Sequence, residues 1–231
     1  MRYLVAETTW KLMGLSQALA ESGTLVTRCD QGEDIDAFQS TGEHDLVVLD
    51  AGALGKHTTL ARLRDARPAQ PVCVLARQPD HRKVAEMLNA GADMVLPEDI
   101  PLPELVARLH ALSRRAHGVA LGEMDCGPLR FDLESRRVHL EDVTLSLSPK
   151  LYEILEFLAL RPGRLATREQ LLNHVYGFEN EPAPRVFDVY LCNLRTQLAN
   201  VAGALTIETV RGSGYRMMVR EAGTADGSIA A

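Results

Sequence analysis

The sequence predicts a doubly wound parallel α/β domain followed by a smaller α+β domain. The first half of the chain alternates short apolar runs with helical patterns, as parallel sheets covered on both faces do. The second half changes to short strands separated by polar turns, then three helices and a final pair of strands. A chain of 231 residues is long enough for two domains of ordinary size.

Five apolar runs in the first half have the length and continuous hydrophobicity of buried strands. They span residues 3–6, 25–29, 46–49, 72–75 and 94–96. Between these runs apolar residues recur at helical spacing, as Leu12, Leu15 and Leu19 do. Strands that alternate with helices in this way predict a doubly wound sheet over residues 1–116.

Residues 117–127 are expected to form a linker, because they contain three glycines and show no strong periodicity. The second domain is expected to span residues 128–220. The tail, residues 221–231, is small and polar and is predicted to be disordered.

The second domain opens with a predicted antiparallel sheet of three short strands. They span residues 129–131, 137–140 and 143–147. Ser148 is a predicted helix N-cap, and Pro149 follows at the first helical position, where proline is tolerated. The next helix begins with the capping box Thr167-Arg168-Glu169-Gln170, in which the threonine and glutamine side chains each satisfy a backbone amide.

A third helix is predicted from about residue 185 to residue 200. Its buried face holds Phe187, Leu191, Leu194 and Leu198. Two strands, 206–210 and 215–219, then flank Arg211-Gly212-Ser213-Gly214, which predicts a β-hairpin with glycines at its tip. Three helices followed by a hairpin indicate a winged helix-turn-helix.

The composition excludes several classes of protein. No apolar run approaches the roughly 20 residues that span a bilayer, so no membrane partner is expected. The amino terminus lacks the pattern of a secretory signal. The four cysteines, Cys29, Cys73, Cys126 and Cys192, form no CxxC pair, which argues against a zinc ribbon or a disulfide scaffold. Thiols in a reducing compartment are the better interpretation, and the expected location is the cytoplasm.

An enzymatic role is not expected. The chain contains no GxSxG elbow, no GxxxxGK[ST] loop, no GxGxxG after a strand and no HExxH. Its seven histidines are dispersed without the spacing of metal ligands. No cofactor or metal is therefore predicted.

The net charge of −6 gives no sign of a protein that simply coats nucleic acid. Residues 185–220 differ from the rest, because they contain five arginines and only two acidic residues, for a net charge of +3. Any contact with phosphate is expected to be concentrated in this segment.

Six segments of the second half form a recognisable series. In order they are FDLESRRV at 131–138, LSPK at 147–150, PGR at 162–164, TREQLL at 167–172, RVFDV at 185–189 and TVRGSGYR at 209–216. The series resembles the effector domain of OmpR/PhoB-type response regulators, and the first half is similar, more loosely, to the receiver domain of that family. The resemblance implies a flavodoxin-like (CheY-like) doubly wound parallel five-stranded receiver domain plus an α+β winged helix-turn-helix domain.

The function that the resemblance implies is that of a sequence-specific, double-stranded-DNA-binding regulator of transcription. In such a domain one helix enters the major groove and the hairpin, or wing, reaches the minor groove. The residues predicted to contact DNA are Arg185, Val189, Tyr190, Asn193, Arg195, Thr196, Thr209, Arg211 and Tyr215. For Tyr215, packing under the wing is an equally good interpretation. The family often carries two basic residues where this helix has Cys192 and Asn193.

Asp50 is the candidate phosphoacceptor that the resemblance implies, and Glu7 is the remaining acidic residue of its pocket. The other parts of the family's chemistry have been replaced. Thr8 stands in place of an aspartate that binds Mg²⁺, so Mg²⁺ binding is not expected. Ala76 replaces the hydroxyl residue that binds the phosphoryl group, Val95 the aromatic residue, and Glu98-Asp99 the Lys-Pro pair.

These replacements predict a regulator that works without phosphorylation. The alternative is a conventional response regulator that is activated by phosphorylation at Asp50 through degenerate ligands. A signalling adaptor that binds only protein is a less favoured hypothesis. The sequence does not decide whether a sensor kinase is a partner.

In this family the fourth helix, fifth strand and fifth helix form a symmetric dimer face held by charged pairs. The residues predicted for this face are Arg82, Lys83, Glu86, Asp93, Glu104 and Arg108. Charges on an ordinary solvated surface are the alternative. A homodimer would place two winged helices on tandem half-sites about 10–11 bp apart. Glu179 and Glu181 precede the third effector helix, where relatives meet RNA polymerase, so polymerase is a plausible partner.

Overall fold

A computed structural model describes residues 1–41, 43–177, 186–201 and 203–220. The chain divides into two compact units that meet in sequence at Leu121 and Gly122, with residues 173–177 grouped with the first. Each unit is described separately. Within the described part of the chain, no helix combines the length and the apolar character needed to cross a membrane.

The first unit alternates five strands with five helices, as predicted. They are β1 (Arg2–Ala6), α1 (Trp10–Glu21), β2 (Leu25–Cys29), α2 (Ile35–Thr41), β3 (Leu46–Asp50), α3 (Leu60–Ala66), β4 (Val72–Ala76), α4 (His81–Asn89), β5 (Met94–Pro97) and α5 (Leu102–Ala116). A short 3₁₀ helix, Gly32–Asp34, precedes α2. All five strands are parallel, in the order β2-β1-β3-β4-β5.

Both faces of this sheet are buried, which explains why its strands are apolar at successive positions. Tyr3 and Val5 lie in one core cluster with α1 and α5, whereas Leu4 lies in the cluster on the opposite face. The third and fourth strands alternate in the same way. The first and third strands are parallel neighbours, so they end side by side at one edge of the sheet. Glu7 and Asp50 were expected to meet at this edge.

Helix α4 packs less completely than the other long helices of this unit. Asp80 caps it by accepting a hydrogen bond from Lys83 N at 2.7 Å. None of its residues is fully buried: Val84 and Met87 are half-buried and Leu88 is 42% exposed. An apolar stripe on α4 is thus left partly open.

The second unit begins with a four-stranded antiparallel sheet. Its strands are β6 (Glu123–Cys126), β7 (Leu129–Asp132), β8 (Arg137–Leu140) and β9 (Val143–Thr144), paired in that order. The interpretation of residues 117–127 as linker was wrong for β6, where Met124 and Cys126 alternate with charged residues and pair with β7. The strand predicted at 143–147 is shorter, because the chain leaves the sheet after Leu145 N bonds Val138 O at 2.8 Å.

The remaining elements form the helices and the final hairpin that the sequence predicts. They are α6 (Pro149–Ala159), β10 (Leu165–Thr167), α7 (Arg168–Tyr176), α8 (Val186–Gln197), a 3₁₀ turn (Ala199–Val201), β11 (Leu205–Val210) and β12 (Gly214–Val219). Strand β10 was not predicted; it pairs with β12, which also pairs with β11. The capping box is confirmed, since Thr167 N bonds Gln170 Oε1 at 2.8 Å and Gln170 N bonds Thr167 Oγ1 at 3.1 Å.

His44 is a buried polar residue beside the first sheet. His44 Nε2 is 3.0 Å from Thr27 Oγ1, and the carbonyl oxygen of His44 accepts from Gln70 Nε2 at 2.6 Å. Burial, reinforced by the charge of Arg2, lowers the pKa of His44 to about 3. His44 is therefore neutral in the folded protein at physiological pH.

This burial predicts an acid-sensitive fold. Below pH 6.5 the unfolded chain binds a proton at His44 that the folded chain does not, so the unfolding free energy falls by about 1.4 kcal/mol per pH unit. The fall continues until the folded pKa near 3 is reached. In urea unfolding between pH 7.5 and 5, His44→Gln should flatten this dependence. His81→Gln, at an exposed position of α4, should leave it unchanged; equal slopes for wild type and His44→Gln would contradict the assignment.

Candidate nucleic-acid interface

The outward face of α8 gathers several of the residues predicted to contact DNA. Val189 is 67% exposed, and Cys192, Asn193 and Thr196 are exposed beside it. The opposite face holds the buried stripe Phe187, Leu191, Leu194 and Leu198, as predicted. Tyr190 is half-buried, with its ring edge-on to Phe187 at 6.1 Å. Arg185, Glu179 and Glu181 lie outside the described residues.

Arg195 and Thr209 were expected to contact phosphates independently, but the structure pairs them. Arg195 Nη2 donates to Thr209 Oγ1 at 2.8 Å, and Arg195 Nε donates to the carbonyl oxygen of Ile207 at 2.8 Å. These bonds fasten α8 to β11. A phosphate contact by either residue stays a prediction, and it would compete with this junction.

A second junction joins α7, α8 and the wing through Asp188. Its Oδ1 accepts from Tyr215 Oη at 2.6 Å and from Arg168 Nη2 at 2.8 Å. The Arg168 guanidinium also lies over the Tyr215 ring, 5.5 Å from its centre. Burial, with the hydrogen bond to Asp188, raises the pKa of Tyr215, so its hydroxyl stays protonated and acts as the donor.

Tyr215 is only 1% exposed, which favours packing under the wing over direct contact with phosphate. Arg168 is a member of this junction that sequence reasoning missed. Its place at the first position of α7 follows from the capping box, but its partner Asp188 lies twenty residues further on. No local pattern connects the two.

The wing tip presents Arg211 to solvent. Val210 pairs with Gly214 across the hairpin, and residues 211–213 between them are exposed. Arg216 forms an ion pair with Glu208 at 2.9 Å, its register partner on β11. Arg211 has no such acidic neighbour among the described residues, which agrees with its predicted reach into a minor groove.

Asp50 lies buried at the end of β3, where its carboxylate is held from two sides. Gly52 N donates to Oδ1 at 2.7 Å, and Thr8 Oγ1 donates to Oδ2. Glu7, at the end of β1, lies 3.6 Å from Arg28 Nε. The residue that replaces the expected acidic ligand therefore binds the candidate phosphoacceptor directly.

The donor set at this edge fits Mg²⁺ poorly. A hard cation needs oxygen ligands whose negative charge is not already neutralised by another group. Here the hydroxyl of Thr8 is neutral and already donates a hydrogen bond to Asp50. The Glu7 carboxylate is paired with Arg28. In the described part of the chain, no group of three or more potential metal-ligating side chains is present.

A cleft of about 620 Å³ opens in front of Asp50. Its lining includes Leu60, Ala76, Lys83, Met87 and Glu98. Ala76 is buried at the end of β4, and its carbonyl oxygen accepts from Glu98 N at 3.1 Å. Lys83, assigned from sequence to the dimer face, also lines this cleft. Lys83 contributes an ammonium group to the cleft wall, and Arg77 contributes a guanidinium group.

The other charges assigned to the dimer face form pairs within the chain. Arg82 bonds Glu86 at 2.9 Å and Arg108 bonds Glu104 at 2.7 Å, each one helical turn apart. Asp93 pairs with Arg64 and accepts from Val72 N at 2.7 Å. Their role between two copies of the chain stays a prediction.

A parallel α/β unit with an aspartate at its carboxyl edge, joined to helices with an arginine-tipped hairpin, defines a two-domain DNA-binding regulator. Residues 142–217 match the family described as "Transcriptional regulatory protein, C terminal". The transcriptional regulatory protein TcrA of Mycobacterium tuberculosis is 36% identical over 94% of this chain and 87% of its own. The cell cycle response regulator CtrA of Brucella anthropi is 31% identical over 93% and 94%.

Among solved structures, the response regulator DrrB, described as a Thermotoga maritima OmpR/PhoB homologue, is 26% identical over 94% of this chain and 98% of its own, with a TM-score of 0.43. The identity to TcrA over nearly the whole chain shows the family. The chain belongs to the OmpR/PhoB-type response regulators. It is a DNA-binding transcriptional regulator rather than an enzyme, with a CheY-like receiver domain and a winged-helix domain.

The exposed wing tip predicts a DNA-binding role for Arg211 that is separate from stability. Arg211→Ala should lower affinity for specific promoter fragments about tenfold and reduce the slope of log K against log salt by about one, because one cation leaves the interface. Fluorescence anisotropy across a salt series measures both. Arg216→Ala, which removes an arginine already paired with Glu208, is the matched control and should have the smaller effect. Unchanged binding by Arg211→Ala would contradict the proposed wing contact.

Proposed function

We propose that this chain is a sequence-specific regulator of transcription that binds double-stranded DNA without being phosphorylated, as a homodimer joined through its receiver domain. The hydrogen bonds from Thr8 and Gly52 to the two oxygens of Asp50 carry this proposal. The proposed location is the cytoplasm, and RNA polymerase is a further proposed partner.

The chemistry at the receiver edge argues against phosphoryl transfer. An attacking carboxylate needs an available oxygen and a cation to neutralise the phosphoryl charge. Here both oxygens accept hydrogen bonds, and Glu98 lines the cleft where the family has lysine. A phosphoaspartate would share this cleft with the negative side chain of Glu98, which would repel it.

A conventional phosphorylation switch is the second candidate, and Lys83 is the observation that favours it. Its ammonium group belongs to the wall of the same cleft as Asp50. A shift of α4 toward the cleft would bring in a cation from a different element. Signals from a sensor kinase would then act through Asp50.

The dimer proposal is supported by the open apolar stripe of α4. Leu88 is 42% exposed and Val84 is half-buried, on a helix whose cap and intrahelical pairs hold it in place. Two copies joined through this face would present two α8 helices to tandem half-sites about 10–11 bp apart.

If the protein acts without phosphorylation, a mimic of the phosphoryl group should not change its affinity for DNA. Beryllofluoride with Mg²⁺ should change the DNA affinity of the wild-type protein less than twofold in mobility-shift titrations, and Asp50→Asn should bind equally well. The triple variant Thr8→Asp, Ala76→Thr, Glu98→Lys restores the metal ligand, the hydroxyl and the lysine, and it should acquire a response. A tenfold gain in wild type that is absent from Asp50→Asn would establish the conventional switch instead.

The dimer proposal predicts a constitutive dimer at micromolar concentration in sedimentation velocity. Leu88→Glu should convert it to a monomer and weaken binding to tandem half-sites more than tenfold, because a buried charge in an apolar interface is costly. Met13→Glu, at an exposed apolar position on α1, should leave the dimer intact. A monomer in the untreated wild-type protein contradicts the proposal.

A further inference from the structure

Apart from Asp188, the side chains that line a recess on the outward side of α8 are uncharged. Val189, Cys192, Asn193 and Thr196 line a shallow, mainly apolar recess together with Asp188. Thr196 Oγ1 donates to the carbonyl oxygen of Cys192 at 3.1 Å, so its proton is used within the helix and its methyl group remains for contact. The recess therefore presents methyl groups, a thiol and one amide together with the Asp188 carboxylate.

On this surface the charged groups that could read guanine and cytosine already have partners within the chain. Guanine is recognised in the major groove mainly by arginine or lysine, and cytosine by a carboxylate. Arg195 is the only cation in α8, and it is bonded to Ile207 and Thr209 on β11. The carboxylate of Asp188 accepts from Arg168 and Tyr215.

The groups that remain suit adenine and thymine. Apolar side chains contact the 5-methyl group of thymine, and a side-chain amide can bond the N7 and N6 atoms of adenine. Gln197 Nε2 donates to Asn193 Oδ1 at 3.1 Å, and this bond does not use the amide nitrogen of Asn193, which can act as a donor. Gln197 keeps an amide oxygen that can accept from an adenine amino group.

We infer that α8 reads a short run of A·T base pairs, through thymine methyl groups at Val189, Cys192 and Thr196 and an adenine at Asn193. The eight residues from Val189 to Thr196 rise about 10 Å along the helix, which corresponds to roughly three base pairs. The inference rests on the DNA-binding function proposed above, and it concerns the bases read rather than phosphorylation.

The test begins with selection from a random duplex library by the full-length protein, with and without beryllofluoride and Mg²⁺. A·T pairs should dominate the centre of each selected half-site. A half-site centred on G·C pairs overturns the inference while leaving sequence-specific binding intact. Failure to enrich any sequence under either condition overturns both the inference and the proposed function.

The decisive measurement replaces individual thymines of the selected site with deoxyuridine, which removes only the methyl group. Affinity should fall about fourfold for each contacted thymine. One of these positions should become insensitive to uracil in Val189→Ala. Indifference of the wild-type protein to uracil at every position overturns the inference, and it is the outcome expected if this apolar face binds protein instead.

A gain of specificity provides the converse test. Asn193→Arg should shift the selection toward guanine at one position of the half-site, because it restores the group that reads guanine. Asn200→Arg, which adds the same charge just beyond α8, should leave the selected bases unchanged. An unaltered half-site with Asn193→Arg contradicts the placement of this residue on the base-reading face.

Discussion

The attachment of α8 to the wing is the constraint on which the DNA-binding half depends. Arg195 bonds β11, and Asp188 gathers Tyr215 and Arg168 at one carboxylate oxygen. These bonds fix the helix relative to the hairpin, so the two can meet adjacent grooves in register. They also use the charged groups of α8 for structure, and the face left for base reading is consequently apolar and amide-bearing.

In the receiver domain, the Asp50 carboxylate and charged residues of α4 and α5 are likewise bonded within the chain. Thr8 donates to Asp50 where a metal ligand would otherwise stand, and the charged residues of α4 and α5 form pairs one turn apart. Hydrogen bonds and ion pairs that are complete inside one molecule offer little to phosphate or Mg²⁺. This domain also exposes the apolar stripe of α4 and a cleft of about 620 Å³.

Much of the fold could be predicted from sequence because its signals are local. Several of its features are each specified by residues of a single element or turn. They are the five parallel strands, the Thr167 capping box and the buried stripe of α8. Strands β6 and β10 were not predicted, because each is only a few residues long and forms by pairing with another strand. These partners are β7 and β12. Thr167 shows both cases, since it caps α7 and also ends β10.

By itself the sequence determined the family, the two-domain order, the candidate phosphoacceptor Asp50 and the outward face of α8, since periodicity, capping and motif order depend on neighbours along the chain. Only the tertiary structure decided which polar groups are already occupied. Thr8 reaches Asp50 across 42 positions, Tyr215 reaches Asp188 across 27, and Lys83 lies on the wall of the Asp50 cleft. Such partners are chosen by packing between distant elements, because burial requires each polar group to find a hydrogen bond wherever the fold supplies one.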